Sequence, residues 1–151
     1  MSSGTRAIAL ASLVAALAGA AGCVGAEAPT RTPPYSQTDV RIGGGDEATA
    51  GKVISVNYTG WLHDALRPED KGAVFDTSLG GTPLTFTLGV GAVIAGWDRG
   101  VPGMRVGGVR RLVIPPSLAY GAARNGPLPP FAALVFDIEL VSVAAAAQPD
   151  R

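Results

Sequence analysis

The chain has 151 residues, room for one domain and little more, and its 12 Lys and Arg balance its 12 Asp and Glu. That balance excludes a global field for nucleic acid or acidic substrates, and the nearest basic cluster, Arg105, Arg110 and Arg111, reads as a solvated strand and turn. A single cysteine and a single histidine exclude an intrachain disulfide and a His-based triad, and argue against a structural metal site.

In chain order, residues 1–22 read as an export signal: Arg6, an almost wholly apolar run over residues 7–21, then Gly22 before Cys23. That run has 15 residues, short of the ~20 that span a bilayer comfortably. Residues 23–37, rich in Ala, Pro and Thr without periodicity, read as a disordered, extended tether. A first strand is expected over residues 39–42, ended by Gly43-Gly44-Gly45. Ile54, Val56 and Tyr58 alternate with polar partners, as do Leu84, Phe86 and Leu88, the period of a half-buried strand. Between them, residues 64–71 carry five charges and Pro68 and read as a solvated excursion. Val93, Ile94, Trp97 and Val101 share one helical face, and Gly100 and Pro102 stop that helix after about two turns. It is too short to stand alone and must pack on something. Strands follow around Leu112 and Ile114 and around Leu134, Phe136, Ile138 and Leu140. Asn125-Gly126-Pro127 makes a turn before the last strand, where it would overhang the mouth of a pocket. Residues 144–151 have nothing to bury and read as a disordered tail. The pattern is an α+β domain over residues 38–143, one twisted antiparallel sheet wrapped around one short helix.

The chemistry-bearing residues lie in four separated segments: Val74-Phe75-Asp76, Val93-Ile94-Ala95-Gly96-Trp97, Ala119-Tyr120-Gly121 and Leu134-Val135-Phe136-Asp137. They supply bulky apolar groups around one carboxylate and one phenol. No nucleophile is paired with a base, and Ser78 and Ser117 have no base nearby in the chain. Such a hollow suits a reaction without proton transfer or covalent intermediate, of which rotation about an X-Pro bond is one. Gly89-Val90-Gly91 begins like a dinucleotide fingerprint, but no βαβ unit surrounds it and no glycine closes it at the sixth position.

With Val56-Asn57-Tyr58-Thr59-Gly60-Trp61-Leu62, Phe75-Asp76-Thr77-Ser78, Phe86-Thr87-Leu88-Gly89, Met104-Arg105-Val106-Gly107, Ile114-Pro115-Pro116 and Leu128-Pro129-Pro130 added in order, the chain resembles FK506-binding-protein (FKBP) type peptidyl-prolyl cis-trans isomerases. The resemblance implies the FKBP-like fold, an isomerase acting on proline-containing polypeptides as a cofactor-free monomer, and affinity for FK506 and rapamycin-type macrolides. It implies Asp76, Trp97, Tyr120 and Phe136 as catalytic residues, and Tyr58, Phe75, Phe86, Val93, Ile94 and Leu128 as substrate-binding walls. Trp97 would be the floor, with the Ile94 N–H and the Tyr120 hydroxyl as donors to substrate carbonyls. Asp76 would organise Tyr58 and polarise the site. Two departures stand out: Leu84 where an aromatic is usual, and an apolar Phe131 after the Pro pair. The alternative is a non-catalytic module on the same fold, holding proline segments or unfolded chains.

Cys23 after Ala20-Ala21-Gly22 resembles a bacterial lipobox, although Ala20 stands where that pattern favours leucine. The implied address is the bacterial cell envelope, with lipid on Cys23 as a membrane anchor. The alternative is an ordinary secretory cut near Ala20 or Ala28, giving a soluble secreted protein.

Overall fold

The computed structural model describes residues 32–146; the stretch read as an export signal, Cys23, and most of the stretches read as tether and tail lie outside the described residues. Six strands form one antiparallel sheet: β1 (Ser36–Arg41), β2 (Val53–His63), β3 (Lys71–Thr77), β4 (Leu84–Thr87), β5 (Val109–Ile114) and β6 (Leu134–Ala144). Their spatial order is β1-β5-β6-β2-β3, with β4 paired to the first half of β2 and β3 to its second half. One helix, α1 (Ala95–Gly100), crosses the concave face.

The strands form where the alternation lies. Ile54 and Val56 of β2 and Leu134, Phe136, Ile138 and Leu140 of β6 turn inward, each at most 3% exposed. Against them pack Leu112 and Ile114 of β5 and Trp97 of α1. Burying each such side chain is worth about 1.5–3 kcal/mol, which is how a six-residue helix persists without help from its own length. The helix lies close on the sheet because Gly96 faces Ile114; a Cβ there would stand 2.6 Å from Ile114 Cγ2.

Several sequence expectations are corrected. β1 begins at Ser36, so the ordered domain reaches into the stretch read as tether, and β6 runs through Ala144. The helix begins only at Ala95; Val93 precedes it and Ile94 is its N-cap, with an extended ψ of 150°. β3 was hidden in the sequence because its burial does not alternate: Gly72 and Ala73 break the pattern. Residues 64–71 are solvated as expected, with 65–69 exposed, but the excursion is tied down at its end. Pro68–Asp70 make a 3₁₀ turn with Glu69 and Asp70 at positive φ, and Lys71 lies 4.3 Å over the Trp61 ring. Lys71 Nζ also pairs with Glu69 and Asp137, which in turn meets Arg111, so the excursion is pinned to the outer face of β5 and β6.

Arg110 is likewise not solvated: it is 8% exposed. It pairs with Asp39 at 2.6 Å and donates to the Gly100 and Pro102 carbonyls, satisfying acceptors at the C-terminal end of α1.

Candidate active site

Between α1 and the concave face of the sheet lies a hollow of about 180 Å³, lined by Tyr58, Phe75, Asp76, Leu84, Ala92, Val93, Ile94, Trp97, Tyr120 and Phe136. Eight of these ten are residues the sequence marked as catalytic or substrate-binding; Leu84 was noted as standing where an aromatic is usual, and Ala92 was missed. Ala92 carries no signal of its own, since a methyl group next to a glycine turn reads as loop.

Trp97 forms the floor. It is 4% exposed, with Tyr58 and Phe136 edge-on to it at centroid distances of 5.1 and 5.2 Å. Phe75 stands edge-on to Phe136 at 5.5 Å, closing a cup of perpendicular rings. Such edge-to-face pairs place the positive ring edge on a negative face and hold each other's orientation. The Trp97 Nε1–H is buried without a hydrogen-bond acceptor.

Two of the expected walls are not at the surface of the hollow. Phe86 is 8% exposed and packs 5.9 Å from Trp97, so it supports the floor from within the core. Leu128 is 3% exposed and sits in the core cluster, at the end of the tight turn where its N–H donates to the Asn125 carbonyl. That turn, expected to overhang the mouth, contributes no residue to the lining.

Phe75 and Asp76 are neighbours in a strand, and regular pleating would send them to opposite faces. A bulge prevents this. Gly60 pairs with Asp76 and Trp61 with Val74, which leaves Phe75 as the extra residue of β3. Both side chains therefore reach the same hollow. Gly60 makes room for the result: a Cβ there would come within 2.7 Å of both Phe75 Cζ and Phe136 Cε1. Sequence reading missed Gly60, because it looked like one more small residue in a strand.

The polar handles are few. Tyr58 donates its hydroxyl to Asp76 Oδ2 at 2.6 Å. Burial, that hydrogen bond and the Asp76 charge, with Tyr120 adding to them, push the Tyr58 phenol up to about 12. It remains a donor across the physiological range. Tyr58 is itself fixed from behind: its N–H donates to Ser78 Oγ at 2.9 Å and its carbonyl accepts from the Ser78 N–H at 3.0 Å. Tyr120 follows the 3₁₀ turn Pro116–Leu118 and is 38% exposed, so its hydroxyl is open to a ligand. Among the described residues, no backbone carbonyl takes the Ile94 N–H. The arrangement can grip an apolar ring, donate to two carbonyls and present one engaged carboxylate.

Comparison with known proteins agrees with this fold. The family model for FKBP-type peptidyl-prolyl cis-trans isomerase matches residues 44–141. An FK506-binding protein of Neisseria meningitidis serogroup B is 50% identical over 107 residues, 70% of this chain and 92% of that protein. The peptidyl-prolyl cis-trans isomerase FPR2 of Saccharomyces cerevisiae is 52% identical over 103 residues, 67% of this chain and 72% of that protein. The crystal structure of AtFKBP13 is similar at a TM-score of 0.64 and 41% identity, over 73% of this chain and 93% of that one. The chain belongs to the FKBP-type peptidyl-prolyl cis-trans isomerases.

Proposed function

We propose that the enzyme accelerates X-Pro rotation in exported polypeptides of a bacterial envelope, by non-covalent stabilisation of the twisted amide. The carrying observation is the aromatic cup around a single carboxylate already bound to Tyr58 at 2.6 Å.

Prolyl rotation is slow because it breaks amide resonance, a barrier of roughly 18–20 kcal/mol. In the twisted transition state the carbonyl oxygen loses the negative charge that resonance placed on it. An apolar cup therefore penalises the planar ground state more than the transition state, which is differential binding. The proline ring lies on Trp97 between Phe75, Val93 and Phe136, while the Ile94 N–H and the Tyr120 hydroxyl hold the flanking carbonyls. Asp76 orients Tyr58 and sets the local field; no proton needs to move. A 10⁵-fold acceleration requires about 7 kcal/mol, within reach of desolvation, conformational selection and a few hydrogen bonds. The same floor and donors fit the pipecolinyl macrolides FK506 and rapamycin.

The envelope assignment is supported by the apolar run over residues 7–21 and by Cys23 directly after Ala20-Ala21-Gly22. Cleavage before Cys23 and diacylglyceryl transfer to its sulfur would anchor the enzyme, at about 0.8 kcal/mol per buried CH₂.

Two measurements test the reading. The full chain should accelerate isomerisation of short X-Pro peptides; a folded protein leaving the background rate unchanged would instead be a proline-segment binding module. On fractionation of an expressing bacterium, the wild type should follow the membrane and Cys23→Ser should not. A soluble wild type with a new N-terminus at Ala21 or Pro29 would remove the anchor and leave the isomerase intact.

A further inference from the structure

The connection between β4 and α1 carries three walls of the hollow, Ala92, Val93 and Ile94. Backbone N–H groups in such a connection ordinarily find backbone partners. Here residues 88–91 form a turn, but among the described residues no N–H from residues 89–94 makes a short, well-aligned hydrogen bond to a backbone carbonyl. Leu88 is held by backbone bonds with Gly51 and Lys52, and beyond it the turn is tied to α1 by one side chain. Gly89 N–H donates to Asp98 Oδ1 at 2.9 Å, and Gly91 N–H donates to Asp98 Oδ2 at 2.8 Å.

Both glycines have left-handed φ, 81° and 75°, a conformation other residues rarely adopt. With it they present their N–H groups to one acceptor. A carboxylate suits them because it offers two oxygens, and charge strengthens both bonds. Asp98 stands in α1 directly after Trp97, and its own N–H donates to the Ile94 carbonyl at 3.3 Å. One residue thus holds the start of the connection by its carboxylate and the end by its backbone. It does not line the hollow.

We infer that Asp98 is a positioning residue of the isomerase site, locking the Gly89-Val90-Gly91 turn onto α1 so that Val93 and the Ile94 N–H stand at a fixed place over Trp97. The inference rests on the reading of Val93 and Ile94 as substrate contacts. Released from Asp98, the connection would spend only part of its time in the competent arrangement, and apparent affinity falls by that fraction. The chemistry on the Trp97 floor would be little changed once substrate is bound.

The test compares the full-length wild type with Asp98→Ala and Asp98→Asn by steady-state isomerisation of an X-Pro peptide and by thermal melting. Asp98→Ala is expected to raise KM roughly fivefold or more, with kcat within about twofold, in a protein folded at the assay temperature. Asp98→Asn should fall between, since its amide oxygen can still accept from one of the two glycines. A role in stability alone would lower the folded fraction, cutting kcat at unchanged KM, and that result overturns the inference. A folded Asp98→Ala with wild-type KM overturns it equally. If the wild type shows no turnover, the functional reading fails instead. The dissociation constant of a proline peptide, measured by calorimetry on the same three proteins, then decides the positioning role by the same ratios.

Discussion

The Tyr58 hydroxyl and the Asp76 carboxylate meet at 2.6 Å across the wall of the hollow, a contact made possible by the bulge that turns Asp76 inward beside Phe75. Among the described residues Asp76 is the only acid lining the hollow, and this contact commits one of its oxygens to holding a ring.

Loss of either partner should therefore cost catalysis before it costs the fold. Asp76→Ala is expected to lower kcat/KM at least tenfold, about 1.4 kcal/mol of transition-state binding. Phe136→Ala should do the same by opening the cup between Trp97 and Phe75. Asp76 is exposed, so its variant should melt near the wild type. Unchanged kcat/KM in a folded Asp76→Ala would remove the carboxylate from the mechanism.

Gly60 reports on packing behind the cup. In Gly60→Ala the new Cβ would start 2.7 Å from Phe75 and Phe136, so one or both rings must shift toward the hollow. Overpacking of this kind costs about 1–3 kcal/mol. A melting temperature lower by roughly 5 °C or more is expected, together with a fall in kcat/KM exceeding any loss of folded protein. Wild-type turnover in this variant would show that the two rings need no fixed position.

Leu84 lines the hollow and is 38% exposed, so it is expected to influence macrolide affinity. Leu84→Phe adds ring area facing the ligand, and tighter binding of FK506 is expected by calorimetry. Equal or weaker affinity with an intact fold would assign the affinity to other walls.

Acid should weaken the outer face. Burial opposes ionisation of Asp137, but hydrogen bonds from Arg111 and Lys71 outweigh it and hold the carboxyl below its usual range. Hydrogen bonds from Lys71 and Arg111 lower Glu69 as well. A carboxyl lowered on folding contributes stability above its unfolded value, about 4, and that contribution is lost as the pH falls through the folded value. Asp137→Asn should thus melt below the wild type at neutral pH, with the gap closing under about pH 4. A gap constant across that range would mean that the paired charges contribute nothing.

Much of the sheet was legible because it rests on alternation: β2 buries Ile54 and Val56, β6 buries Leu134, Phe136, Ile138 and Leu140, and that period of two survives in sequence. β3 was not, since bulges and small residues erase its period. Leu128 and Phe86 show the opposite error. Both are apolar residues in motif stretches, yet core and pocket wall demand the same chemistry, and only position separates them.

The amino-acid order by itself determined the family, the α+β character, the short helix under an antiparallel sheet, and the aromatic and carboxylate set around Trp97. The family and the set around Trp97 came through the resemblance of the motif stretches, and the rest follows from local periodicity, which needs no knowledge of distance. The tertiary structure alone decided that Phe75 and Asp76 face one way, that Gly60 clears space for two rings, that Lys71 and Asp137 pin the charged excursion, and that Asp98 holds the Gly89-Val90-Gly91 turn. Each depends on register or on groups brought together by the sheet and helix, and neither leaves a period in the sequence.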